Sequence, residues 1–224
     1  DSVSLLAGFD QFYGAEDMPN VEVVDLGREP DTGTYDYNMF SFMHQKLNTM
    51  QEPFLSFMFT STNHSDFHLP SAKFERYPHD LKNYYGYLNS LIYVDNAIER
   101  FIEGVKKEPW FDNTIFIFTS DHGSGNALGN IAKGLRPDDK IVSNIEGYRI
   151  PLLIYAPKIF KPKEIDILGS QNDIKPTIID LLGFENSFSS MGNSLFDESS
   201  KNRFVYTFGG DQIGLITEDC YIMF

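Results

Sequence analysis

Thr114 to Gly123 reads Thr-Ile-Phe-Ile-Phe-Thr-Ser-Asp-His-Gly, an apolar strand that delivers an acid, an imidazole and a glycine to its end. In an open α/β sheet, ligands bind just beyond the carboxyl ends of the strands. Asp121 offers a hard oxygen and His122 a neutral nitrogen, a pair that suits Zn²⁺ or Mn²⁺. Gly123, with no side chain, lets the backbone turn sharply and lets a ligand approach. An Asp-His dipeptide alone also ends many ordinary strands in a polar turn, so the rest of the chain has to decide between the two readings.

The remaining periodicity supports a layered α/β fold. Phe40, Met43 and Leu47 fall three and four apart and predict a helix over Tyr37–Met50, ended by Pro53. Phe54–Phe59 reads as a buried strand running into the polar loop Thr60–His68. Tyr84–Ile102 is the clearest helix, with Tyr84, Leu88, Leu91, Ile98 and Ile102 as its apolar stripe and Asp95 on that stripe. Residues 124–147, glycine-rich and polar, are too long for a simple connector and suggest an active-site loop. Arg149–Pro157 predicts a further strand, with Pro151 marking an edge position or a bulge. Ser170 or Asp173 caps a short helix through Leu182, and Gly183 closes it. Phe204–Phe208, Ile213–Ile216 and Tyr221–Phe224 read as short strands, the last two a hairpin. The first 35 residues are irregular, with Phe9, Phe12 and Tyr13 as aromatic anchors. Strands alternating with helices argue a sheet sandwiched by helices.

Composition narrows the function. At 224 residues and 42% hydrophobic content the chain can bury the core of one large domain. Its 18 basic and 32 acidic residues leave a net charge of −14 with no basic stripe, which argues against nucleic acid or anionic lipid as a direct partner. Cys220 is alone, so neither an internal disulfide nor a cysteine metal cage can form. No apolar run approaches the roughly 20 residues of a membrane-spanning helix, and no signal peptide opens the chain. Asp1 in place of an initiator methionine leads us to expect a segment upstream.

Two strands are expected to end in imidazoles: the Phe54 strand leads to His64 in Thr62-Asn-His-Ser-Asp66, and the other reaches His122. A shared site is one reading and a surface histidine the other. His68 ranks below His64, and His44 and His79 read as surface histidines. Asp173 could coordinate metal, although a helix cap before Pro176 explains it more simply. Arg149 could meet an anionic substrate or make a surface salt bridge.

An ordered series of segments resembles the sulfatase-like branch of the alkaline phosphatase superfamily. It runs Gly8-Phe-Asp-Gln-Phe-Tyr13, Pro53-Phe54, Asn63-His64, Tyr93-Val-Asp95, Asn113-Thr-Ile115 and Ser120-Asp-His-Gly123. It continues with Arg149-Ile-Pro-Leu-Leu-Ile154, Gln171-Asn-Asp-Ile-Lys-Pro-Thr177, Leu181-Leu-Gly183 and Met191-Gly-Asn-Ser-Leu-Phe196. Within that branch the chain is most similar to phosphoglycerol transferases of the lipoteichoic acid synthase type. The resemblance implies an alkaline-phosphatase-like α/β/α sandwich, partial here, with a small C-terminal antiparallel hairpin, and makes residues 1–224 the C-terminal part of the catalytic domain. It implies Asp121 and His122 as ligands of Mn²⁺ or Zn²⁺ and His64 as a contact to the phosphate or leaving group. It implies a phosphate- or sulfate-ester substrate, lipid- or glycan-linked, and an extracytoplasmic protein with its membrane anchor upstream.

The family's nucleophile and a further acidic ligand precede the Gly-Phe-Asp-x-Phe-Tyr segment. No nucleophile is therefore expected in this chain, the metal site is expected to be incomplete, and the chain alone is expected to be inactive and to self-associate. Two other functions stay open: a sulfate- or phosphate-ester hydrolase, and a non-catalytic domain that binds a polymer or partner.

Overall fold

The computed structural model describes residues 2–18, 34–79, 82, 84–123, 148–185, 187–197, 199, 200, 202–209 and 212–224. The glycine-rich segment 124–147, expected to be an active-site loop, lies outside the described residues. After a short exposed helix α1 (Ser2–Leu6) come α2 (Asp36–Leu47) and α3 (Tyr84–Val105). Strand β1 (Phe116–Thr119) and β2 (Leu152–Tyr155) follow, then α4 (Ile174–Leu181) and the strands β3 (Val205–Gly209), β4 (Gln212–Ile216) and β5 (Tyr221–Met223).

The core forms where α2 and α3 pack together and onto β1. Phe40 of α2 stacks on Phe101 of α3 at 4.9 Å between ring centroids. Phe101, Trp110, Phe111 and Tyr155 all surround Phe116 of β1. Each such buried aromatic contributes about 1.5–3 kcal/mol relative to leaving it exposed, so this cluster is what fixes the position of β1. Trp110 donates its indole N–H to Asn48 Oδ1 at 2.8 Å, joining the ends of α2 and α3 through a satisfied polar contact. His44, expected at the surface, is half-buried and meets Glu108 at 2.7 Å across the same junction.

β1 and β2 pair antiparallel, with Phe116 opposite Tyr155 and Thr119 opposite Leu152. Thr119 Oγ1 extends the pairing by donating to the Pro151 carbonyl at 3.0 Å. The C-terminal strands form a three-stranded antiparallel sheet in the order β3-β4-β5, one strand more than the expected hairpin. Tyr206 and Phe208 of β3, Ile213 of β4 and Ile222 of β5 are exposed.

Three expectations are corrected. The buried stripe of α3 is Gly86, Asn89, Ser90, Tyr93, Ala97, Phe101 and Val105, about one residue around the helix from the predicted one. Ile98 and Ile102 still pack at its margin, whereas Leu91 and Asp95 are exposed. The helix turns inward a face that includes polar side chains because the fold satisfies them: Asn89 exchanges hydrogen bonds with the backbone of Tyr77, and Tyr93 accepts from Tyr37 N–H. Residues 54–59 form no strand. They alternate between a half-buried side that packs Phe54 and Met58 on the core and an exposed side of Leu55, Phe57 and Phe59. The apolar run encoded the inward contacts without the backbone pairing that would make a strand. The opening segment is not wholly irregular, since α1 forms there, while Tyr13 anchors edge-on against Phe42.

Candidate metal and phosphate-binding site

β1 ends at Thr119, and Asp121 and His122 follow it as exposed residues. The side chains bend toward each other. His122 Nε2 stands 3.6 Å from Asp121 Oδ2, and Asp121 Oδ1 accepts the His122 N–H at 2.9 Å. Two ligands each about 2.1 Å from one ion at a tetrahedral angle would stand about 3.4 Å apart, so the spacing suits joint coordination. His122 Nδ1 lies 2.8 Å from the Gly123 carbonyl. A carbonyl only accepts, so Nδ1 carries the proton and Nε2 keeps its lone pair, the tautomer a metal ligand requires. The donor set fits a divalent cation in type and orientation, and it is short in number. Among the described residues, no group of three or more His, Cys, Asp or Glu side chains comes together.

Gln171, which the sequence placed in a notable constellation without giving it a role, holds this corner. Its Nε2 donates to the carbonyls of Ser120 at 3.0 Å and Asp121 at 2.5 Å. Gln171 opens the 3₁₀ turn Gln171–Asp173 that leads into α4. Of the two caps the sequence allowed, Ser170 is the one that caps: its Oγ accepts from Asn172 N–H, and Asp173 Oδ2 accepts from Ser170 N–H.

Asp173 is buried, and both of its oxygens are engaged, Oδ1 taking the Asn193 N–H at 2.7 Å with Arg203 Nη1 at 3.9 Å. Its carboxylate is structural. Gly192 makes this fit possible, because a Cβ there would stand 2.3 Å from the Asn172 carbonyl oxygen. At the far end of α4, Gly183 has φ +67°, and Phe184 N–H reaches back to the Ile179 carbonyl, the left-handed close that the sequence predicted.

His64 is exposed in a turn closed by its own N–H to the Ser61 carbonyl at 3.0 Å. Its Nδ1 lies 2.5 Å from the Ser65 carbonyl, which again leaves Nε2 with a free lone pair. His79 is exposed, as expected, and pairs with Glu75 at 2.7 Å. Arg149 is exposed.

Comparison with known proteins matches residues 2–184 to the Sulfatase family. The chain is 28% identical over 181 residues to the lipoteichoic acid synthase-like protein YvgJ of Bacillus subtilis, covering 76% of this chain and 28% of that protein. It is 24% identical over 216 residues to lipoteichoic acid synthase 1 of the same organism, covering 93% of this chain and 33% of the relative. The chain thus spans about a third or less of these two relatives' length.

Among solved structures, lipoteichoic acid synthase LtaP from Listeria monocytogenes superposes with TM-score 0.70 at 25% identity, over 95% of this chain and 54% of that one. An alkaline phosphatase superfamily protein from Vibrio parahaemolyticus does so with TM-score 0.75 at 24% identity, over 96% and 49%. The mixed α/β architecture described above is therefore that of the alkaline phosphatase superfamily.

Proposed function

The chain belongs to the sulfatase family, and from that premise we propose that it is the Asp121- and His122-bearing part of a metal-dependent, extracytoplasmic phosphoglycerol transferase. The observation that carries the metal assignment is the convergence of His122 Nε2 and Asp121 Oδ2 at 3.6 Å, with Nδ1 turned to the Gly123 carbonyl. These two side chains would hold Mn²⁺ or Zn²⁺ together with ligands beyond this pair. Such an ion, when bound, supplies Lewis acidity to a phosphoryl oxygen and lowers the pKa of a nucleophilic hydroxyl.

The chain's own residues orient and bind. Gln171 holds the carbonyls of Ser120 and Asp121, so the two ligands leave β1 in a set direction. His64 presents Nε2 to the leaving group or the phosphate: its lone pair accepts from a leaving-group hydroxyl, and an N–H there would donate to a phosphate oxygen. The nucleophile and the membrane anchor belong to an upstream segment in this reading. Similarity to proteins named lipoteichoic acid synthase favours a lipid- or glycan-linked phosphodiester over a sulfate ester. The outward row of Leu55, Phe57 and Phe59 supports self-association of this chain.

Two measurements test this. Calorimetry of Mn²⁺ and Zn²⁺ with this chain should show weak binding that His122→Ala removes, because two ligands fall short of the three or four a tight site uses. The complete gene product should cleave a glycerophosphodiester and pass the glycerol phosphate to an acceptor hydroxyl or to water, in a chelator-sensitive way. Turnover of an aryl sulfate without phosphodiester cleavage would move the reading to sulfate-ester hydrolysis. Metal-independent turnover of either substrate would sink it.

A further inference from the structure

Asp36 lies in the first turn of α2 and is fully buried. Its Oδ1 accepts from Ser61 N–H at 3.3 Å, Thr62 N–H at 3.1 Å and Thr62 Oγ1 at 2.7 Å. Thr62 Oγ1 in turn accepts the Asp36 N–H at 3.1 Å, an amide that the first turn of a helix leaves without an intrahelical partner. The two residues thus close a capping box between segments distant in sequence, where such a box usually closes within one helix. Tyr35, the N-cap residue by position, makes no side-chain cap hydrogen bond.

The turn is tied on its other side by α3. Ser90, also fully buried, brings Oγ within 2.5 Å of the Asn63 side-chain amide. Ser61 Oγ donates to the Thr34 carbonyl at 3.2 Å. Ser61, Thr62 and Asn63 are all held by side chains or by the segment entering α2, and the next residue is His64. The other carboxylate oxygen, Asp36 Oδ2, is buried with no hydrogen-bond partner among the described residues. Burial pushes this carboxyl up against the pull of its three donors. A fold retains so costly a group where its geometry is used.

We propose that Asp36 is a positioning residue, fixing the Ser61–His64 turn through Thr62 and with it the direction in which His64 presents Nε2. The consequence for turnover rests on the function proposed above, whereas the anchoring does not.

The test pairs amide hydrogen exchange on this chain with phosphodiester kinetics on the complete gene product. Asp36→Ala should speed exchange at Thr62–His64 about tenfold or more while leaving α4 unchanged, as expected when a cluster of local hydrogen bonds is removed. Asp36→Asn, which keeps the Oδ1 acceptor, should restore slow exchange there. Thr62→Val removes the same link from the other side, and decides the matter if Asp36→Ala fails to fold. In kinetics, Asp36→Ala should lower kcat about tenfold, and should cost nothing further in a His64→Ala background.

Unchanged exchange at Thr62–His64 in folded Asp36→Ala or Thr62→Val, or fast exchange there in Asp36→Asn, would overturn the proposal. So would an equal loss of kcat with and without His64. A wild-type protein that turns over no phosphodiester would refute the proposed function alone, and the exchange result would still decide the anchoring.

Discussion

Where the Ser61–His64 turn is pinned by buried side chains from α2 and α3, the Ser120–His122 end of β1 is exposed and tethered by the Gln171 amide to its carbonyls. The difference follows what each end is proposed to do. A bound cation would impose geometry on its ligands, so Asp121 and His122 need the right tautomer and rough proximity more than rigidity. An imidazole that must meet a phosphate by hydrogen bonding gets no such help, and its direction has to be built in beforehand. The firm end is also where polar groups are buried, and the loose end is where they are not.

The comparison breaks most visibly if metal and stability prove coupled. Asp121→Asn and His122→Ala should each lower metal-dependent turnover of the complete gene product about a thousandfold. Their melting temperatures in excess chelator should stay within about 1 °C of wild type, because exposed residues of this kind carry little folding energy. Differential scanning calorimetry with chelator checks this, and a large drop in melting temperature would show that the β1 end is structural after all.

A change at the firm end should do the reverse. Tyr93 is wholly buried on α3, and its hydroxyl accepts the Tyr37 N–H at 3.0 Å beside Asp36. Tyr93→Phe strands that backbone donor and should cost about 1–3 kcal/mol. Urea titration would read the change as a lower midpoint at constant slope, with metal affinity unaltered.

Gln171→Ala sharpens the contrast at intermediate size. It removes both tethers to the Ser120 and Asp121 carbonyls yet exposes nothing new. Metal affinity should fall about tenfold, in the manner of a lost outer-shell partner, and hydrogen exchange of the core should not change. An unaltered binding isotherm would show that β1 orients the ligands unaided.

The smallest effect is a slope. Asp36 has its carboxyl raised in the folded protein by burial, and the Tyr93 phenol of α3 is the ionisable neighbour that senses its charge. The folded state therefore binds more protons than the unfolded chain between the ordinary carboxylate value and the raised one. Stability from this residue is fully present below the ordinary value and declines as pH rises through that window. Melting temperature against pH should show this decline superposed on the rest, and Asp36→Asn should remove it. At Glu108 the sign reverses, since the hydrogen bond from His44 holds its carboxyl low and that contribution is lost as pH falls.

Local features that need only neighbours in sequence were legible without a structure. The apolar run Thr114–Phe118 and the acid-imidazole-glycine after it set β1 and the Asp121-His122 corner, because strand length and the end of an apolar run are local properties. Ser170 and Gly183 announced both ends of the α4 region for the same reason, since caps act within one turn. Asp173 reads in sequence as a cap more simply than as a ligand; Ser170 takes the cap, and Asp173, its partner in the capping box, has both oxygens engaged in structural hydrogen bonds.

Tertiary structure decided what depends on partners far along the chain. The inward face of α3 rotated away from Leu91 and Asp95 because Asn89, Ser90 and Tyr93 found hydrogen-bond partners at Tyr77, Asn63 and Tyr37. The run at 54–59 sent Phe54 and Met58 inward and left Leu55, Phe57 and Phe59 outside, a split that pairing and cover settle and hydrophobicity does not. Asp36 reads in sequence as one more acid opening a helix. Only the fold sets Thr62 against it, because hydrogen bonds depend on distance and angle between atoms that the chain order keeps 26 residues apart.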